Sequence, residues 1–327
     1  MEIGLLGPLV VSLRGRPGPP TAAKQRTLLA LLALHSGQLV LTDSIIDELW
    51  GEEPVTTAAA TVRTYIFQIR KLIGPAEAGE HPDPGPEAEA GAGEAGGRRE
   101  PQEILRAVPG GYVLHPDRPT DAQRYEREVA AGREALAGGD YEAAGRRFRA
   151  ALGLWRGAAL MDVRRGSRLQ AAARRLEESR LLVLEYRVEA DLQLGRHREL
   201  LGELSGLCAE HPLHEGLHAL YMLALHRSGR RSEALAVYRR LRIATVENLG
   251  LEPSSRVQGL QQEILRSGGG PGAPGGPGAA ELTALVLDQS RRIAELTSRI
   301  ARIEERLGLD GPELPAGVRG RAPGGLA

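Results

Sequence analysis

A glycine turn that returns after 34 residues sets the narrowest limit on what this chain can fold into. LQLGRHRELLGEL (192–204) and HRSGRRSEALAVY (226–238) share one pattern, with Gly195 and Gly229 34 positions apart. LAGGDYEAAGRRF (136–148) shows the same small-residue turn followed by the same helix pattern, though 56 residues before Gly195 and not 34. That period is the one of tetratricopeptide helix pairs, which cannot bury an apolar face alone and must stack on their neighbours. Residues 119–266 therefore read as one all-helical, TPR-like domain. Composition supports this: hydrophobic residues make up 42% of the chain but aromatics only 3%, so the cores must be built from Leu, Ala and Val.

The first 116 residues read differently. Two short β-prone runs, 3–6 and 9–13, meet at Gly7-Pro8. A helix follows over 24–35, apolar through Leu28, Leu31, Leu32 and Leu34 and ended by Gly37. Thr42 or Asp43 is expected to cap a second helix that runs through Ile45, Ile46, Leu49 and Trp50 and stops at Gly51. After the acidic loop GEEP comes a third helix over 56–73. EILRAV and YVLH form a hairpin about Pro109-Gly110-Gly111. Three helices with short β-hairpins are the layout of a winged helix-turn-helix. The expected fold class is mainly α: this module, then the TPR-like domain, then a C-terminal coiled-coil helix. Residues 75–101 are acidic and aperiodic and read as a disordered insert; 267–280 read as a flexible Gly/Pro linker and 310–327 as a disordered tail.

The third helix is the unusual one. Its stretch ATVRTYIFQIRKLIG (60–74) turns Val62, Ile66, Ile69 and Ile73 inward, with Tyr65 and Leu72 flanking. Arg63, Thr64, Phe67, Gln68, Arg70 and Lys71 are left outside, and 56–73 holds three basic residues and no acid. The whole chain carries 42 basic and 42 acidic residues, so this bias is local. Cations on such a face neutralise phosphates and release counterions, while Thr, Gln and Arg suit base edges. An ordinary surface helix with a chance charge bias would look the same. Its place, third of three helices and ahead of a glycine-turn hairpin, favours DNA reading.

Other chemistries find little support. Cys208 is the single cysteine, which excludes an internal disulfide and a cysteine-based zinc cage and suits a reducing cytosol. The N-terminus has neither the basic start nor the apolar core of a signal peptide, and no run is long enough to span a membrane. A cytoplasmic protein is expected. His214-Glu215-Gly216-Leu217-His218 is a literal H-E-x-x-H, which on a helix could hold zinc with Glu215 as base. A glycine inside the motif and its place in a repeat helix argue against a hydrolase. No G-x-x-x-x-G-K-[ST] and no G-x-S-x-G occurs. The expectation is no enzymatic activity, no cofactor and no metal. A repeat scaffold with a degenerate winged helix stays open as the other reading.

Residue by residue, KQRTLLALLALHSGQLVLTDSIIDELWGEEP, TVRTYIFQIRKLIG and VPGGYVL resemble the winged-helix half of the Streptomyces antibiotic regulatory protein family. ALGLWRGAAL, RLEESRLLVLEYRVEADLQLGRHRELLGEL, HPLHEGLHALYMLALHRSGRRSEALAVYRRL and ENLGLEPS are similar to that family's bacterial transcriptional activation domain. The resemblance implies a transcription activator, commonly of secondary-metabolite gene clusters, that binds direct repeats in double-stranded DNA and engages RNA polymerase. Carried over by position, it implies groove-facing Arg63, Thr64, Gln68, Arg70 and Lys71, with Gln68 where the family usually has a basic residue. It also implies a wing at VPGGYVL with Gly111 and Tyr112 near a minor groove or phosphate. Glu52 and Glu53 correspond to a segment that touches polymerase in relatives. Lys24, at the start of the first helix, lies beside free backbone N–H groups that favour a phosphate.

The resemblance does not reach residues 281–309. There Val286, Ile293, Ile300 and Leu307 alternate with Leu282, Gln289, Leu296 and Ile303 at steps of three and four, a heptad pattern. Val286, Ile293, Leu296, Ile300, Ile303 and Leu307 are expected to pair two chains into a homodimer. The competing expectation is that the stripe folds back on the repeat domain.

Overall fold

The computed structural model describes residues 1–13, 16–18, 20–73 and 101–267. The acidic insert apart from Pro101, the Gly/Pro linker beyond Ser267, the heptad segment and the tail lie outside the described residues. Among them the chain is mainly helical, with two small antiparallel sheets.

The N-terminal sheet joins β1 (Glu2–Gly4), β2 (Val10–Leu13) and β3 (Arg16–Pro17) in that order, with Ile3 opposite Val11. Two runs were expected here and a third short strand is present. The first run also stops short of Leu5 and Leu6. Both are fully buried, and their backbone is taken by other parts of the chain: Asp121 accepts from both N–H groups, and the two carbonyls accept from Arg156 and Leu160. A tertiary partner has replaced the strand ladder there.

Helices α1 (Ala23–Leu34), α2 (Thr42–Trp50) and α3 (Ala58–Ile73) follow, with β4 (Val40–Leu41) between the first two. After α3 come the short α4 (Pro101–Ile104), β5 (Leu105–Val108) and β6 (Gly111–Leu114). The second sheet has the order β4-β6-β5. The expected cap at Thr42 or Asp43 is not what starts α2: Leu41 is the N-cap and no side chain caps the helix. The reason is the sheet. Residues 40–41 are drawn into β4, so the strand's last residue is the N-cap and the helix begins directly after it, and the Thr42 N–H donates to the Gly110 carbonyl. Glu103 and Ile104, expected in a strand, belong to α4. Gly51 ends α2 at φ 66°, in keeping with its position after the last apolar residue.

The rest is helical: α5 (Asp121–Ala137), α6 (Tyr141–Leu152), α7 (Ser167–Gln193), α8 (Leu201–Glu210), α9 (Glu215–Arg227), α10 (Arg231–Leu249) and α11 (Ser255–Arg266). Gly139, Gly195 and Gly229, the three turn glycines of the sequence repeat, all take left-handed φ between 78° and 80°. Each joins two helices through a backbone shape that a side chain disfavours, which explains why the repeat is anchored on glycine. α5 starts with a capping box between Thr120 and Gln123. Rings, scarce in the chain, concentrate where α5, α6 and α7 meet. Phe148 stacks on Tyr186, Tyr125 meets Trp155 edge-on, and a Cβ at Gly132 would lie 2.6 Å from Phe148.

The winged-helix module and the repeat domain fall in one compact unit, Met1–Pro271. Three carboxylates hold them together. Glu48, 5% exposed on α2, accepts from the N–H groups of Gly166, Arg168 and Leu169 at 2.6, 2.9 and 3.3 Å and so caps the 27-residue α7. Asp121 accepts from Leu5 and Leu6 and from Arg156 Nη2, and Asp162 accepts from Leu9 and pairs with Arg26. Each gives backbone N–H groups that lack a strand or helix partner a charged acceptor in place of water, which fixes the orientation of one module on the other.

Candidate nucleic-acid interface

α3 is a helix because its 16 residues contain no Gly or Pro and place Ala58, Val62, Ile66 and Ile69 on one side. All four are buried, and each large one contributes about 1.5–3 kcal/mol by leaving water. That anchors the helix against α1 and α2 and leaves the other face to solvent. The exposed face comprises Ala59, Ala60, Arg63, Thr64, Phe67, Gln68, Lys71 and Leu72, and it carries no acid.

The side chains on this face are not equivalent. The Thr64 hydroxyl donates back to the Ala60 carbonyl at 3.2 Å. The Gln68 side-chain carbonyl accepts from the Gln25 amide on α1, while its own NH2 makes no hydrogen bond among the described residues. Arg70, expected on the outer face, is half-buried, and its Nε donates to the Leu105 carbonyl at 2.9 Å. The guanidinium thus ties α3 to the hairpin instead of standing free on the outer face, because β5 brings the Leu105 carbonyl within its reach. Arg63 and Lys71 make no ion pair or hydrogen bond among the described residues.

The hairpin also differs from expectation in its details. Gly111 and Tyr112 are buried and paired with Leu41 and Val40 of β4. A Cβ at Gly111 would lie 2.1 Å from the Val40 carbonyl oxygen, so this glycine is set by sheet packing and not by a ligand. The solvent-facing part is Arg106, Ala107, Pro109 and Gly110, with Gly110 at φ 86° in the Pro-then-Gly turn. Arg106 was not among the residues expected at the interface; its signal is the alternation of β5, where Leu105 is buried and the next residue must face outward.

Lys24, in the first turn of α1, sits with its ammonium 4.1 Å from the centroid of the Trp50 ring. Burial first, and the nearby Arg164 charge second, lower its pKa from the ordinary lysine value. No side chain caps α1, and no acid lies in its first turn. Gly51, Glu52, Glu53 and Pro54 form an exposed loop between α2 and α3.

The H-E-x-x-H stretch takes no part in this face. His214 is the N-cap of α9, His218 is buried with Nδ1 3.0 Å from the His214 carbonyl, and Glu215 accepts from the Ser254 N–H. His214 Nδ1 lies 3.3 Å from Glu185 but is not aligned for a hydrogen bond. Among the described residues no group of three or more His, Cys, Asp or Glu side chains is arranged to hold a metal ion. Burial pushes the Cys208 thiol up to about 12, far from a reactive thiolate. No described helix is long and apolar enough to cross a membrane.

The comparisons bear on both modules. A family described as "Transcriptional regulatory protein, C terminal" matches residues 19–82, and one described as "Bacterial transcriptional activator domain" matches 120–265. Regulatory protein DnrI of Streptomyces peucetius is 46% identical over 268 residues, 82% of this chain and 93% of its own length. The chain belongs to the Streptomyces antibiotic regulatory protein family of transcriptional regulators. Transcriptional regulator RedD of Streptomyces coelicolor, another relative, is 34% identical over 81% of this chain and 70% of its own length. A solved structure of Mycobacterium tuberculosis EmbR in complex with a low-affinity phosphopeptide superposes with a TM-score of 0.75 at 31% identity, covering 91% of this chain and 70% of that one. Members of this family pair an OmpR-type N-terminal domain with a helical activator domain, and both are present here. Glu48, Asp121 and Asp162, which lock the two together, were not visible as functional residues in the sequence.

Proposed function

We propose that this family member is a sequence-specific DNA-binding activator, pathway-specific for a secondary-metabolite gene cluster, that recruits RNA polymerase. The observation that carries the reading is the outer face of α3, acid-free, with Arg63 and Lys71 unpaired among the described residues and a glycine-turn hairpin beside it. On this reading α3 enters the major groove. Arg63 and Lys71 meet phosphates or guanine edges, and the Gln68 NH2 and the free nitrogens of Arg70 supply further donors. Thr64 contributes its surface, its hydroxyl being engaged. The wing contact shifts from Gly111 and Tyr112 to Arg106, Pro109 and Gly110. Lys24 and the uncapped start of α1 suit a flanking phosphate. The exposed Glu52 and Glu53 are available to polymerase. Pairing through residues 281–309 would make a homodimer and raise the effective concentration of the second winged helix at a direct repeat.

The test is selection of bound sequences from random double-stranded DNA by the full chain, followed by run-off transcription with RNA polymerase holoenzyme from a promoter bearing the selected site. A recovered motif arranged as direct repeats, with transcription that rises on adding the protein, is the expected result. Recovery of no sequence preference from folded protein would refute the reading.

A further inference from the structure

The sequence holds two phenylalanines in 327 residues. Phe148 is fully buried in the repeat-domain core, as an aromatic ring ordinarily is. Phe67 is 68% exposed in the middle of the acid-free face of α3. A single exposed apolar residue is common and means little by itself. Its neighbours make this one informative.

Arg63, Phe67 and Lys71 are spaced four residues apart and form one line along the helix. Each polar side chain beside that line is tethered to the protein through one atom, the Thr64 hydroxyl to Ala60, Gln68 Oε1 to Gln25 and Arg70 Nε to Leu105, so none of them extends freely. What remains extended is a ring with a cation one turn to either side. At 1.5 Å per residue the line from Arg63 to Lys71 spans about 12 Å, comparable with the width of the major groove. Seated there, the two cations would reach toward phosphates while the ring meets the base edges.

Among the four bases only thymine offers an apolar group in the major groove, its C5-methyl; the other edges present donors and acceptors that a phenyl ring would leave unpaired. The geometry points to Phe67 as a specificity-determining residue that reads a thymine methyl in the operator. This inference rests on the proposed DNA-binding function and deepens it, adding a base preference at the centre of each half-site. The ring shields one methyl group, worth about 0.8 kcal/mol, which corresponds to roughly a fourfold change in affinity.

The experiment takes the operator selected by the full-length protein and replaces each thymine in turn with deoxyuridine, which removes the methyl and keeps every hydrogen-bonding group. Binding is measured by fluorescence anisotropy for wild type and for Phe67→Ala, whose fold is checked by circular dichroism. One replacement should weaken wild-type binding about fourfold and leave Phe67→Ala unaffected, and the variant should bind the unmodified operator about as weakly as wild type binds the uridine form. Deoxyuridine effects of equal size in both proteins would overturn the inference while leaving DNA binding intact. So would a Phe67→Ala protein that binds the operator normally but no longer supports transcription, which would place the ring against a protein partner. Failure to select any operator would remove the DNA-binding function and this inference together.

Discussion

Replacing Glu48 with Ala tests the joint between the two modules more directly than any change at the DNA face. The Glu48 carboxylate accepts three backbone N–H bonds at the start of α7, from Gly166, Arg168 and Leu169. At about 1 kcal/mol net for each bond, three bonds come to about 3 kcal/mol. A negative charge at the N-terminus of a long helix adds a few tenths to about 1 kcal/mol. Alanine suits the interior of α2, so that helix itself loses nothing. The expected loss is therefore about 3–4 kcal/mol, which in a domain of this size lowers Tm by about 6–16 °C. Thermal unfolding followed by circular dichroism reads it, and amide exchange at residues 166, 168 and 169 should quicken selectively. Glu48→Gln keeps the volume and one acceptor oxygen but sets an NH2 against backbone donors, so it should fall between wild type and Ala. A Glu48→Ala protein with unchanged Tm and unchanged exchange at those three amides would refute the reasoning, because it would mean that water satisfies the end of α7 equally well.

Three further outcomes are expected. Lys71→Ala and Arg63→Ala should weaken operator binding without moving Tm, whereas Arg70→Ala should also cost about 1 kcal/mol of stability through loss of its bond to Leu105; urea unfolding beside gel shifts separates the two, and equal stability of all three variants would contradict the half-buried place of Arg70. Burial pushes the Glu185 carboxyl up to about 7 from 4.5, so this group's contribution to stability is full below about pH 4.5 and is lost as pH rises toward 7. Glu185→Gln stays neutral, so its Tm relative to wild type should climb across that window; a difference without a pH trend would show that Arg256 and relaxation compensate the buried charge. His218 and His226, whose pKa values burial lowers, act in the opposite sense but are common to both proteins. Light scattering should find the full chain dimeric and a chain ending at Ser267 monomeric, and a full-length monomer at tens of micromolar would end the coiled-coil proposal.

Much of this protein is local and therefore legible in the sequence. Glycine at a left-handed turn has no good substitute, so the 34-residue spacing of Gly195 and Gly229, with the same turn pattern at Gly139, is enough to announce the helix pairs. The inward line Val62, Ile66 and Ile69 follows from helical period alone, and with it the acid-free outer face of α3. What the sequence cannot announce are the partners brought in from far along the chain. Leu5 and Leu6 look like strand residues until Asp121, more than a hundred positions away, takes their N–H groups. Arg70 looks like one more outward cation until β5 folds beneath it. Glu48 looks solvated beside Asp47, although its place three residues after buried Ile45 hints at the inner face. A side chain's period tells which way it points, but whether it meets water, DNA or another backbone depends on which distant segment arrives there. In this protein that arrival turned one acid into a helix cap and one arginine into a tie between α3 and the hairpin, and it left Phe67 in the open.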